Sequence, residues 1–132
     1  MQLHSYLAFN GQCEAAFKFY EKVLGGKVET MKTYAGTPME EQVPPEWRNK
    51  IIHAHLAGGD WVLLGSDMLP EHYNAPKGFS VSLQIEDPVE AERVFNALAE
   101  NGTVRMPLQK TFWATRFGML VDRFGIPWMV NC

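Results

Sequence analysis

Residues 9 to 28, FNGQCEAAFKFYEKVLGGKV, lie without a gap over residues 85 to 104, IEDPVEAERVFNALAENGTV, at an offset of 76. The identities are Glu14/Glu90, Ala15/Ala91, Phe19/Phe95, Gly26/Gly102 and Val28/Val104. Roughly one identity is expected by chance over that length, so the chain reads as one module used twice. Ahead of each segment, apolar and polar residues alternate. Leu3, Leu7 and Phe9 fall on one face of a strand, with His4, Tyr6 and Ala8 on the other, and Val81, Leu83 and Ile85 repeat the pattern. Within each segment the apolar spacing becomes helical, through Ala15, Ala16, Phe19, Tyr20 and Val23, and through Ala91, Val94, Phe95 and Leu98. Gly25-Gly26 and Asn101-Gly102 stop the two helices.

Working outward, strand-like runs follow each helix at 27–35, 50–57 and 60–66, and again at 103–109, 114–122 and 126–131. Each half therefore reads β-α-β-β-β and the fold class is α+β. Module one covers about 1–67 and module two about 79–132, within a single domain. A proline-containing stretch at about 68–78 links them, and residues 36–47, with three prolines, read as a loop.

The Gly58-Gly59 pair predicts a two-residue hairpin, which would set Ala57 opposite Asp60, Leu56 opposite Trp61 and His55 opposite Val62. Ile52, Ala54, Leu56, Trp61 and Leu63 would then pack on a helix, leaving His53, His55, Val62 and Leu64 on the other face. Laying Trp61 on Trp128 adds Met129 and Asn131 to that second face. The predicted cavity lining is His4, Tyr6, His53, His55, Val62, Ser80, Ser82, Met129 and Asn131. Apolar bodies with a few polar groups are what a small-molecule ligand needs.

Composition narrows the partners. The chain has 132 residues, 46% of them hydrophobic and 20% charged, and a net charge of -3, which leaves no basic surface for nucleic acid. No apolar run is long enough for a membrane span, and Met1 leads into polar Gln2 and His4 rather than a signal sequence. Cys13 and Cys132 form neither a disulfide framework nor a metal motif, and a cytoplasmic location is expected. His53 and His55, spaced i, i+2, project to one side of a strand, but no neighbouring carboxylate completes a ligand set, so they read as polar lining. Methyl transfer from S-adenosylmethionine on a doubly wound sheet is excluded, because Asn10-Gly11 and Gly25-Gly26 make no glycine-rich strand-to-helix loop.

With LHSYLAFNG opening the first strand and AAFKFYEKVLGGKV following it, the two modules resemble the vicinal oxygen chelate superfamily. That superfamily includes glyoxalase I, bleomycin-resistance proteins, fosfomycin-resistance transferases and ring-cleaving dioxygenases. Residues 106–132, MPLQKTFWATRFGMLVDRFGIPWMVNC, together with GFSVSLQIED, resemble its PhnB-like branch. The resemblance implies a U-shaped, antiparallel-rich, cup-like sheet with helices outside, usually in a homodimer. It implies metal-ligand positions at His4, Val62, Ser80 and Met129, where the enzymes offer His or Gln, Glu, His and Glu. Valine has no donor and a thioether is too soft for a hard divalent ion, so neither a metal of that kind nor any other cofactor is expected. It also places Trp113 at the mouth of the cup. The expected ligand-binding set is therefore His4, Tyr6, His53, His55, Ser80, Trp113 and Met129. Three functions fit: an enzyme on a small polar metabolite, a ligand-sequestering protein, or a dimeric interaction protein with a vestigial cup.

Overall fold

A computed structural model describes all 132 residues. The chain divides into two compact units, Met1–Asn74 and Ala75–Cys132, and the boundary falls within the stretch read as a linker.

The first unit runs β1 (Ser5–Phe9), α1 (Cys13–Leu24), β2 (Lys27–Thr33), β3 (Ile51–Ala57) and β4 (Val62–Asp67). The sheet order is β1-β4-β3-β2, with β1 parallel to β4 and the other pairs antiparallel. Leu7 and Phe9 are buried with Ala54, Leu56 and Leu63. β1 starts at Ser5, however, so Leu3 and His4 precede the strand and Leu3 is fully exposed.

The hairpin is longer than the glycine pair implies. Ala57 pairs with Val62, Leu56 with Leu63 and His55 with Leu64, so Gly58 to Trp61 form a four-residue loop. Trp61 folds its indole over that loop and toward the end of α1: a Cβ on Gly58 or on Gly26 would run into its ring. The shift is two residues, an even number, so each side chain keeps its face although its partner changes.

The second unit repeats the order: β5 (Val81–Gln84), α2 (Pro88–Ala99), β6 (Thr103–Gln109), β7 (Phe117–Val121) and β8 (Pro127–Asn131), with sheet order β5-β8-β7-β6. Val81, Trp128 and Leu120 share one row and are all buried. β1 and β2 keep the offset of 76 to β5 and β6, the later strands do not, and Ser5 pairs with Leu63 as Val81 pairs with Trp128. The repeat partner of Trp128 is therefore Leu63, not Trp61, and that of Met129 is Leu64, not Val62.

The helices do not follow that offset. Cys13, Ala16, Phe17 and Tyr20 are buried in α1, while the corresponding stripe in α2 is Ala91, Val94, Phe95 and Leu98, which lies two residues further along. Ala15 and Phe19 are thus not the core positions their identities imply, Ala15 being exposed and Phe19 half-buried. A glycine admits each phenylalanine: Gly65 beneath Phe17 and Gly118 beneath Phe95 leave no room for a Cβ.

Two buried carboxylates tie the units internally. Asp67 accepts from the backbone N–H of Cys13 and of Ile51, both at 2.9 Å, joining the start of α1 and of β3 to the end of β4. Asp122 accepts from Phe124 N–H, Ile126 N–H and the Trp128 indole N–H, which fixes the turn before β8.

Candidate functional site

In each unit the helix covers one sheet face, and the opposite face carries the chemistry. In the first unit that face presents Tyr6, Leu64 and His55 in one row, with His53 beside them. The Tyr6 hydroxyl lies 3.3 Å from His53 Nδ1 and the two rings are 6.0 Å apart, which leaves His53 Nε2 uncommitted. Tyr6 is half exposed and both histidines are partly exposed, so the polar groups sit at an accessible surface.

His55 has a neighbour that spacing along the chain does not reveal. Its Nε2 is 3.9 Å from a carboxylate oxygen of Glu29. Val28 pairs with Leu56 and Thr30 with His55, so Glu29 is the extra residue of a β-bulge. Alternation from Val28, which faces buried Leu56, puts Glu29 on the open face with His55, and the bulge brings Thr30 to the same side. A carboxylate does therefore join the histidines, contrary to expectation. Even so, no three His, Cys, Asp or Glu side chains come together in a metal-holding cluster.

His4 stands apart from this pair. Exposed ahead of β1, it makes a 3.2 Å hydrogen bond with Gln2 and lines a shallow cavity of about 540 Å³ with Gly58 to Val62. Sequence alternation placed it on the strand; the strand begins one residue too late for that.

The second unit's open face carries Ser82, Met129 and Met119 in one row and Gln84, Asn131 and Phe117 in the next. A cavity of about 370 Å³ is lined by Ser80, Met119 and Met129 together with Lys77, Phe79 and Arg105. Asn131 donates to Gln84 Oε1 at 2.6 Å, and its own buried Oδ1 accepts nothing. Trp113 lies between β6 and β7, half exposed, 5.3 Å from Phe117 and 4.7 Å from Phe112. It does not line the cavity that holds Ser80 and Met129. Arg116 borders a separate groove with Glu92 and Phe95.

The cysteines take no part in this chemistry. Cys13 is fully buried; burial, then the negative charges of Asp67 and Glu14, push its thiol pKa far up, so it is no nucleophile. Cys132 hydrogen-bonds to the Glu86 carbonyl.

Two β-α-β-β-β units, each with one polar open face, define an α+β protein of paired modules. The family model described as the Glyoxalase/Bleomycin resistance protein/Dioxygenase superfamily matches residues 2–130, and the chain belongs to that family. It is 34% identical to protein YjdN of Escherichia coli (strain K12), over 99% of this chain and 95% of that one. The crystal structure of protein PA1353 from Pseudomonas aeruginosa is similar at 49% identity, with a TM-score of 0.91 over 100% and 97% of the two chains. The Bacillus cereus protein named as a putative 3-demethylubiquinone-9 3-methyltransferase, PhnB protein, shares the fold at 22% identity and a TM-score of 0.83, over 99% of this chain and 98% of that one.

The divalent metal of the family's enzymes does not fit this chain. Leu64, the repeat partner of Met129, has no lone pair, Met129 offers a thioether, Ser80 a neutral hydroxyl, and only His4 is a good donor.

Proposed function

We propose that the protein binds a small polar molecule on the open sheet faces and works without the family's usual divalent metal. The binding residues are His4, Tyr6, His53 and His55 in the first unit and Ser80, Trp113 and Met129 in the second. The Tyr6–His53 pair carries the reading: a hydroxyl and an imidazole held within hydrogen-bond reach, accessible and free of any role in the core. Such convergent polar groups on a partly apolar surface are the ordinary furniture of ligand sites. The protein is then a small-molecule binder of the PhnB-like type, working as a cytoplasmic homodimer. In the sheet of each unit the two outer strands end the ladder, and a second copy would satisfy such edges.

The test is a thermal-shift screen of the purified protein against polar metabolites, followed by NMR of each hit over hours. Stabilisation with the ligand unchanged supports sequestration; conversion of the ligand supports catalysis, with His53 or His55 as the acid–base group. The missing donors at Leu64 and Met129 favour sequestration. A screen with no hit, in a protein that stays folded, overturns the reading. Sedimentation equilibrium showing only a 15.0 kDa species would remove the dimer.

A further inference from the structure

We propose that the second unit's cavity holds the anionic head of a small molecule, a carboxylate, phosphonate or phosphate monoester, between Lys77 and Arg105, with its apolar body against Met119 and Met129. This rests on the small-molecule reading above and specifies the ligand's chemistry. Two cations and no carboxylate line the cavity, in a chain whose net charge is -3. The local excess is therefore not a by-product of overall charge. Neither Lys77 nor Arg105 has an ion-pair partner within the protein.

Alternation carries Arg105 to the cavity: Val104 faces buried Leu120, so the next side chain turns to the open face beside Met119. Val104 pairs with Leu120 and Met106 with Met119, so Arg105 is the extra residue of a bulge in β6. Bulges of this kind gather beside binding sites. The same bulge in the first unit carries Glu29, so the fold dictates the bulge but not its charge. A guanidinium there offers a planar fork that matches two oxygens of a carboxylate or phosphonate, the Lys77 ammonium adds a point charge, and Ser80 supplies a neutral hydroxyl. Met119 and Met129 form a pliable apolar wall suited to a short hydrocarbon.

The experiment is an amide NMR titration with calorimetry on the full chain, using hexanoate, hexylphosphonate and the neutral hexanamide. Both anions should bind, shifting the amides of Ser80, Met119 and Met129, with hexanamide at least about tenfold weaker. Arg105→Gln should weaken the anions about tenfold and Lys77→Gln severalfold, Arg105→Lys should fall between wild type and Arg105→Gln, and Arg116→Gln should change nothing. Which anion binds tighter tells which head group the fork accepts, and either order supports the proposal. Equal binding of hexanamide in this cavity would overturn the anion assignment while leaving small-molecule binding intact. Absence of shifts at these amides with every probe, at about 10 mM, would overturn the cavity as the site even if the metabolite screen succeeds.

Discussion

Glu29 and Arg105 occupy the same bulge in the two repeats: each is the unpaired residue that follows a valine facing a leucine, Val28 with Leu56 and Val104 with Leu120. At one bulge a carboxylate stands 3.9 Å from His55, and at the other a guanidinium lines a cavity that contains no acid. The duplicated backbone irregularity thus carries opposite charges at equivalent points of the two units. Its inheritance in both copies fits bulges as specified features of a sheet rather than defects in it.

The glycines that precede β2 and β6 should be irreplaceable for steric reasons. A Cβ on Gly26 would stand 2.8 Å from the Ala57 carbonyl oxygen, and one on Gly102 would stand 2.4 Å from that of Val121. Neither carbonyl can move without opening the end of a ladder. Gly26→Ala and Gly102→Ala should each cost about 1–3 kcal/mol in urea denaturation. Gly59→Ala, with nothing within 4 Å of its Cβ, should stay within about 0.5 kcal/mol of wild type.

Removing either buried carboxylate should be worse. Asp67 and Asp122 accept two backbone N–H bonds each from segments that would otherwise carry orphaned donors, and Asp122 also takes the Trp128 indole. Asp67→Asn and Asp122→Asn keep the shape but turn an NH₂ toward an N–H. We expect each to lose about 2–4 kcal/mol by chemical denaturation, with the m-value unchanged.

The fold could be read from the sequence because its signals are local: period-two alternation in β5, the Asp87-Pro88 helix start, and the glycine stops after each helix. What sequence hid depends on pairing. The Gly58-Gly59 pair gave the hairpin two residues too few, because Trp61 can fold over glycines that have no side chains to exclude it. Only the even size of that slip kept Val62 and Leu64 on the face of His53 and His55. The identities Ala15/Ala91 and Phe19/Phe95 pointed to a common helix phase, yet the helices bury stripes two residues apart. Glu29 and Arg105 escaped the candidate list because the Gly58-Gly59 turn suggests a register for β3 and β4 only, and nothing local fixes the faces of β2 or β6.

Alkaline pH should loosen the first unit. Burial raises the Cys13 thiol above its ordinary 9.0, and burial, then Asp67, raises the Tyr34 phenol above 10.0. Both groups hold their protons more tightly folded than unfolded. Their contribution is therefore complete below pH 9.0 and is lost as pH climbs past the thiol's and then the phenol's ordinary value. The thiol alone should give a slope of about 1.4 kcal/mol per pH unit. Urea unfolding at a series of pH values should show this decline, and Cys13→Ala should delay its onset by about one pH unit, to where Tyr34 begins.

Ligand affinity and stability should separate at the Tyr6–His53 pair. Both side chains lie on the open face of the first sheet, and their contact, at 3.3 Å between Tyr6 Oη and His53 Nδ1, spans neighbours at an accessible surface rather than the core. Tyr6→Phe, His53→Ala and His55→Ala should therefore each change unfolding free energy by no more than about 0.5 kcal/mol. Binding of any metabolite that stabilises the wild type should instead weaken about tenfold or more with His53→Ala, because an uncommitted Nε2 is lost. Tyr6→Phe should reproduce part of that loss, since it frees Nδ1 and lets the imidazole turn, while leaving the ring itself in place. If the three variants lose stability in step with affinity, the pair is a structural tie across the sheet and not a ligand contact. If affinity survives all three, the open face of the first sheet is not where the molecule binds, and the search passes to Ser80, Arg105 and Met129 in the second.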